Sequence, residues 1–300
     1  MSIATAITNL QGKIANAYTA IENKGGTLPA TQNAENLSAT IDAIPGGAKW
    51  GITMDNMFPT QDGTLFISNL PESIVFTGVT NIGEYGLYYR FYHDATVKSV
   101  EFPDLTSVSS TYALAHAFDF CESLSSFSFP ALSSIGGMRS FNYTFANCKK
   151  LSSVTFPELT IIMGGYAAEN GFNLCNNLST VYFPKLTTLS GKNIFTGTFG
   201  STKVSLLTFP ALTTIISNVD RGFDAIITNN ATVTRIDFPV LTTIKKTESS
   251  TENDLEYLFN NMSKLAELHF GAGNQAIIEA SAGYATKWNA PSTCQIYFDL

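Results

Sequence analysis

Three hundred residues with a formal net charge of −7, 44% of them hydrophobic and 14% charged, suffice for one extended domain and a small extra one. Charged residues fall well below the usual ~25%, and abundant Ser and Thr stand in their place. An acidic chain with few basic clusters argues against nucleic acid or an anionic membrane surface as partner. No apolar run approaches the ~20 residues that a bilayer span requires, so membrane insertion is not expected.

In chain order, the first residues have neither the basic start nor the continuous apolar core of a secretion signal. As written, the chain is expected to remain where it is made. Ile3, Ile7, Leu10, Ile14, Tyr18 and Ile21 follow three- and four-residue steps, which predicts an amphipathic helix over residues 2–23. Ser2 is its candidate N-cap, and Gly25 and Gly26 end it. A second short helix over residues 33–44 places Leu37, Ile41 and Ile44 on one face, before Pro45, Gly46 and Gly47 break the chain. Two helices this short bury little surface by themselves. They form either a hairpin docked on the next element or an attachment and weak self-association module, here assigned to residues 1–48. The run from Ala15 through Leu28 and Pro29 to Leu37 resembles N-terminal modules of tail proteins from bacteriophages of gut Firmicutes. That resemblance implies contact with other virion or tail proteins through residues 1–48.

Residues 49–70 read as a linker and cap, since the first coil of a stack needs an atypical, wettable outer face. From residue 71 to 300 one pattern recurs. Phe76, Phe102, Phe129, Phe156, Phe183, Phe209, Phe238, Phe270 and Phe298 are separated by steps of 26, 27, 27, 27, 26, 29, 32 and 28 residues, most of them followed by proline. Self-similarity at such a period signals a solenoid, here of about eight coils. Two residues before the phenylalanine stands Val100, Phe127, Val154, Val181, Leu207, Ile236 or Leu268. Apolar residues at these two positions, with a polar one between, predict a short half-buried strand. Proline ends that strand because it has no N–H for a ladder. Further apolar columns lie five before the phenylalanine and three and six after it. An aromatic eleven before it, Phe91, Phe118, Phe145, Phe172 or Phe259, is expected to fill the back of the coil. The longer steps predict loops around residues 220–222 and 245–254, and residues 288–300 read as a last strand that closes the stack.

The run from Phe145 to Ile162, with Cys148, Leu151, Val154, Phe156, Pro157, Leu159 and Thr160 in fixed places, resembles the BspA-like leucine-rich repeat. The resemblance covers roughly residues 63–300. It implies a leucine-rich-repeat solenoid of α/β class and right-handed winding, with short parallel strands on the concave face and an irregular or short-helical convex side.

Candidates for chemistry are few. Cys121, Cys148 and Cys175 lie 27 apart in one register, eight before the phenylalanine. They are expected to be buried free thiols that serve as small packing residues. No histidine joins that register to complete a metal site, and Cys294 belongs to another. His93 and His116 fall on the aromatic-rich back of the coils, where a structural role is expected. Nucleophile elbows, zinc-binding helices and phosphate or dinucleotide loops do not occur, so no enzyme activity and no cofactor is expected.

The columns on either side of the inward strand residue should face solvent on the concave sheet. One reads Glu101, Ser128, Thr155, Tyr182, Thr208, Asp237, His269 and Tyr297; the other reads Ser99, Ser126, Ser153, Thr180, Leu206, Arg235, Glu267 and Gln295. Either these are ordinary sheet-surface residues or the second half is a recognition surface. Aromatic and charged groups stand together only there. The candidate ligand-binding residues are therefore Tyr182, Leu206, Arg235, Asp237, Glu267, His269 and Tyr297. Arg235, Asp237, Glu267 and His269 are expected to form one polar cluster. Tyr85, Tyr88, Tyr89 and Tyr92 offer a second surface or half-buried packing on the convex side. The expectation is a binding protein that recognises a bacterial surface glycan or protein. It would be a tail-associated virion component made in the bacterial cytoplasm, or alternatively a BspA-like adhesion protein at the bacterial surface.

Overall fold

The expected strand forms in coil after coil: Ser73–Val75, Ser99–Glu101, Ser126–Ser128, Ser153–Thr155, Thr180–Tyr182, Leu206–Thr208, Arg235–Phe238, Glu267–Phe270 and Gln295–Phe298. The computed structural model describes residues 72–217, 227–246, 258–281 and 284–300, with positions 17, 50 and 51. The expectations for residues 1–48, for nearly all of the cap at 49–70 and for the tips of both insertions lie outside the described residues.

These strands pair in parallel and in the register that the alignment of phenylalanines demands, with Val100 opposite Phe127 and Ile236 opposite Leu268. Their ladder runs in three sections, the first ending at Ser126–Ser128, the second pairing Ser153–Thr155 with Thr180–Tyr182, and the third running from Leu206–Thr208 to Gln295–Phe298. The first break lies beside Phe127, whose ring stands where the neighbouring coils have valine and stacks on Phe145 at 4.2 Å.

Behind the phenylalanine, six successive coils bend and form a second parallel strand that the sequence did not announce. Ser107–Val108, Ser134–Ile135, Ile161–Met163, Thr188–Gly191, Thr214–Ser217 and Thr243–Lys246 make one continuous six-stranded sheet. Its inward residues are the apolar column six after the phenylalanine, so Leu189 lies between Ile162 and Ile215. Hydroxyls reinforce its edge: the Ser133 carbonyl accepts both the Thr160 backbone N–H at 2.9 Å and the Thr160 hydroxyl at 3.0 Å. Thr187 repeats this on the Thr160 carbonyl. Both lone pairs of one oxygen are thus used.

The third side, expected to be irregular or short-helical, is a repeated run of turns with few and short helices. Along residues 85–94, alternate N–H groups bond three residues back and across to the next coil. Leu87, Tyr89 and Phe91 donate to the carbonyls of Ala113, Ala115 and Ala117, while Tyr88, Arg90 and Tyr92 donate to those of Tyr85, Leu87 and Tyr89. This ribbon needs a left-handed residue at every fourth position. Tyr85, Tyr89 and His93, then Tyr112, His116 and Phe120, then Arg139, Tyr143 and Asn147 all have φ between 51° and 61°. Such a backbone costs roughly 1–2 kcal/mol per L-residue, and saturated hydrogen bonding within and between coils offsets it. Where the second sheet turns into this ribbon, Gly137, Gly164 and Gly191 stack with positive φ; a Cβ on Gly191 would sit 2.4 Å from the Gly164 carbonyl oxygen.

Two files of phenylalanine fill the interior. Phe76, Phe102, Phe129, Phe156, Phe183, Phe209, Phe238, Phe270 and Phe298 stack face to face with centroid distances from 4.1 to 6.1 Å. The second file joins Phe91, Phe118, Phe145 and Phe172 to Phe199. Phe199 escaped the sequence reading because it stands ten residues, not eleven, before Phe209. Near the C-terminus a five-residue helix, Gln275–Glu279, buries Ile278. Trp288 packs edge-on against Phe259, and the last strand pairs with Glu267–Phe270 as expected.

Candidate recognition surface

Strand alternation turns two side chains per strand away from the core. Through the first coils these are small: Ser126, Ser128, Ser153, Thr155 and Thr180 are exposed. From the fifth strand of the first sheet onward the surface gains large groups. Tyr182 is 44% exposed, Leu206 46% and Tyr297 38%.

Cross-strand register assembles the charged residues between them. Leu206, Arg235, Glu267 and Gln295 are successive partners, as are Thr208, Asp237, His269 and Tyr297. Arg235 donates from Nε to Asp237 Oδ1 at 2.6 Å and from Nη2 to Oδ2 at 3.3 Å. That pairing raises the guanidinium above its ordinary range. Arg235 Nη1 also lies 3.8 Å from Glu267 Oε2. His269 places Nε2 3.2 Å from the Glu267 carboxylate and Nδ1 2.7 Å from Asp299 Oδ1. The Tyr297 ring stacks on the imidazole at 4.6 Å.

Arg235, Asp237, Glu267 and His269 are thus brought together, but two of them do not face solvent as expected. Asp237 is only 8% exposed and His269 only 6%. The Arg235 fork is clamped on Asp237, and the Tyr297 ring lies over His269. Both lie beneath their neighbours and brace Arg235, Glu267 and Tyr297. Asp299 was missed because it follows the last phenylalanine and belongs to neither strand column; His269 is 30 residues away in sequence.

On the third side, Tyr88 lies edge-on to Tyr85 at 5.5 Å, to Tyr89 at 4.5 Å and to Tyr112 at 5.7 Å. Tyr85 and Tyr89 are exposed, and Tyr88 and Tyr92 half-buried. His116 is stacked between Tyr89 at 4.4 Å and Tyr143 at 4.7 Å. Its Nδ1 meets Asp119 at 2.9 Å, and Asp119 also accepts from Asn147. Burial, with neighbouring hydroxyls and Asp119 adding to it, pushes the Tyr89 phenol up to about 12. His93 stacks on Phe120 at 4.2 Å. Both histidines are packing groups of the turn ribbon.

Cys121, Cys148 and Cys175 are free and buried, as is Cys294. Each of the first three donates its thiol to a carbonyl one coil back, of Phe91, Phe118 and Phe145, at 3.0, 3.3 and 3.0 Å. Burial pushes Cys121 up to about 12 and holds Cys148 well above its ordinary value. Such thiols are inert packing groups. Among the described residues, no group of His, Cys, Asp and Glu is placed to hold a metal ion, and no helix is long and apolar enough to cross a membrane.

Among solved structures the chain is similar to a leucine-rich repeat protein from Bacteroides ovatus, with 18% identity over 76% of this chain and 60% of that one and a TM-score of 0.33. It is also similar to a leucine rich cell surface protein from Faecalibacterium prausnitzii, with 14% identity over 73% of this chain and 82% of that one and a TM-score of 0.27. The chain thus spans 60% of the length of the Bacteroides protein. No curated protein matches it. The BspA type leucine-rich repeat region matches residues 80–220 in six copies. With its stacked coils, its recurring phenylalanine and its parallel strands, this part of the chain is similar to the BspA type leucine-rich repeat family.

Proposed function

We propose that this chain is a non-enzymatic binding protein that recognises a bacterial surface ligand through the C-terminal half of its first sheet. One observation carries this reading. Tyr182, Leu206 and Tyr297 are large and exposed on a sheet otherwise surfaced with Ser and Thr. They flank an Arg235 already paired with Asp237 and Glu267, so an approaching ligand meets apolar area without stripping water from a lone cation. Tyrosines in such a place give flat contact with a hydroxyl at the edge.

Residues 1–48 are the attachment element in this reading. Their resemblance to phage tail modules favours a tail-associated virion component. The repeat family of residues 80–220 favours instead an adhesion or protein-interaction protein at the bacterial surface. The test uses intact bacterial cells and immobilised glycans with the purified full chain. Tyr182→Ala and Tyr297→Ala should each weaken binding by about 2 kcal/mol or more, as central aromatic contacts do. Ser126→Ala and Thr155→Ala should change it little. Unchanged binding in both tyrosine variants would rule out this sheet as the recognition face.

A further inference from the structure

Position 27 residues apart on the turn ribbon generates one more file, and it differs from all the others. Tyr85 stacks on Tyr112 at 5.2 Å. The Arg139 guanidinium lies between two rings, 5.9 Å from the centroid of Tyr112 and 4.9 Å from that of Tyr166. The Lys192 ammonium covers the other side of Tyr166 at 5.4 Å. Lys192 is one residue short of the column, yet its carbonyl accepts the Tyr166 N–H at 2.7 Å. Its stem runs over Gly165, where a Cβ would already lie 3.4 Å from Lys192 Cγ and Cε. Successive coils therefore display tyrosine, cation, tyrosine, cation.

The ring faces in this file are occupied by their neighbours, which leaves edges and hydroxyls for a ligand. A guanidinium set between two rings is restrained, and its N–H donors radiate in its own plane. Arg139 spends one donor on the Tyr112 hydroxyl at 3.3 Å. No carboxylate among the described residues forms an ion pair with Arg139 or Lys192, whereas Lys98, Lys149 and Lys185 are each paired with a glutamate of the preceding coil. Glu169, whose ionisation Arg139 favours against the larger effect of burial, is held by Asn142 at 3.0 Å. Two cations without an ion pair among the described residues, on an acidic chain, are suited to an anion.

Their interval narrows the ligand. Arg139 and Lys192 stand two coils apart, about 10 Å at the ~4.8 Å spacing of paired backbones. A β-linked sugar advances by nearly one such coil. We propose that the Tyr112–Arg139–Tyr166–Lys192 file binds an acidic polysaccharide laid along the solenoid axis, with a carboxylate on every second sugar. The carboxylates meet Arg139 and Lys192, and the intervening neutral sugar lies against the hydroxyl edge of Tyr166. A polymer charged at every unit fits poorly, because every other coil offers a phenol and the net charge of −7 repels it. This site lies on a different side of the coil from the first sheet and does not rest on the binding role proposed for it.

Calorimetric titration of the full chain tests the assignment with three probes: hyaluronan hexasaccharide, in which glucuronate alternates with a neutral amino sugar; chitohexaose, its neutral counterpart; and inorganic polyphosphate. The hyaluronan fragment should bind, more weakly as salt is raised, and chitohexaose should bind at least tenfold more weakly. Arg139→Ala should weaken hyaluronan binding at least tenfold and Arg139→Lys should restore part of it, since the charge returns without the fork. Lys192→Gln, at a half-exposed position that leaves the coil intact, should weaken it several-fold. Tyr182→Ala should leave it unchanged. Equal binding of chitohexaose, tighter binding of polyphosphate, no binding of hyaluronan, or an unaltered affinity in both Arg139→Ala and Lys192→Gln would each overturn the proposal.

Discussion

Replacing Phe156 by alanine probes the principle on which this chain is built. The ring is buried between two coils, stacked on Phe183 at 5.4 Å and Phe129 at 6.1 Å. Phe141 stands edge-on at 6.0 Å, and Phe127 and Phe172 are tilted against it at 5.8 and 6.4 Å. None of these neighbours can move in freely, because each coil is bonded to the next; the Phe156 N–H itself donates to the Tyr182 carbonyl at 3.1 Å. The cavity should therefore stay open, and the loss should fall at about 3–5 kcal/mol. Phe298 is the internal comparison. It is half-buried and stacks on one side only, against Phe270 at 5.7 Å. Its removal should cost about 1–2 kcal/mol, in proportion to the smaller area withdrawn from water. Urea titration monitored by hydrogen-exchange mass spectrometry reads both quantity and place. In a stack held by nearest-neighbour contacts, Phe156→Ala should first raise exchange in peptides around Phe129 and Phe183, and only later at the ends. Loss of protection spread evenly over all coils, or equal costs for the two variants, would refute the reasoning.

Three other outcomes are expected. Cys121, Cys148 and Cys175 should react slowly with a thiol reagent at pH 8 in the folded chain, and all four cysteines should react at once after denaturation; rapid reaction of more than one in the folded state would contradict their burial. The raised thiols have a signed consequence for stability: Cys121 keeps its proton up to about 12 when folded but releases it near 9.0 when unfolded, so stability present below pH 9 is lost as pH climbs toward 12. Replacing Cys121 by alanine should flatten that decline in a pH series of urea midpoints. Gly191→Ala places a Cβ 2.4 Å from the Gly164 carbonyl oxygen and should destabilise by more than the ~1 kcal/mol that such a change costs in the reverse sense at an unstrained site; a melting temperature equal to the parent's would mean that the glycine column has room to spare. A chain beginning at Trp50 should scatter light as a smaller species than the full chain by more than the mass of the missing residues, if residues 1–48 mediate weak association, and masses that differ only by the deletion would leave the docked hairpin.

The sequence by itself determined the solenoid, its period and the identity of its core. A stacked architecture must place equivalent residues above one another, so the buried phenylalanine of each coil repeats in the chain as openly as it does in space. The end of most first-sheet strands was equally legible, since proline cannot continue a ladder. Tertiary structure alone decided three other things. The second strand of each coil is too short to show a period, and only hydrogen bonds to its neighbours make Ile161–Met163 or Thr188–Gly191 a strand at all. The turn ribbon puts tyrosine, histidine and arginine in the left-handed region where sequence rules look for glycine or asparagine; coil-to-coil hydrogen bonding, which no local window contains, holds them there. Finally, alternation along a strand predicts which side chains point outward, but not what lies over them. Asp237 and His269 point outward and are nonetheless buried, because Arg235 and Tyr297 fold across them, one from the same strand and one from the next.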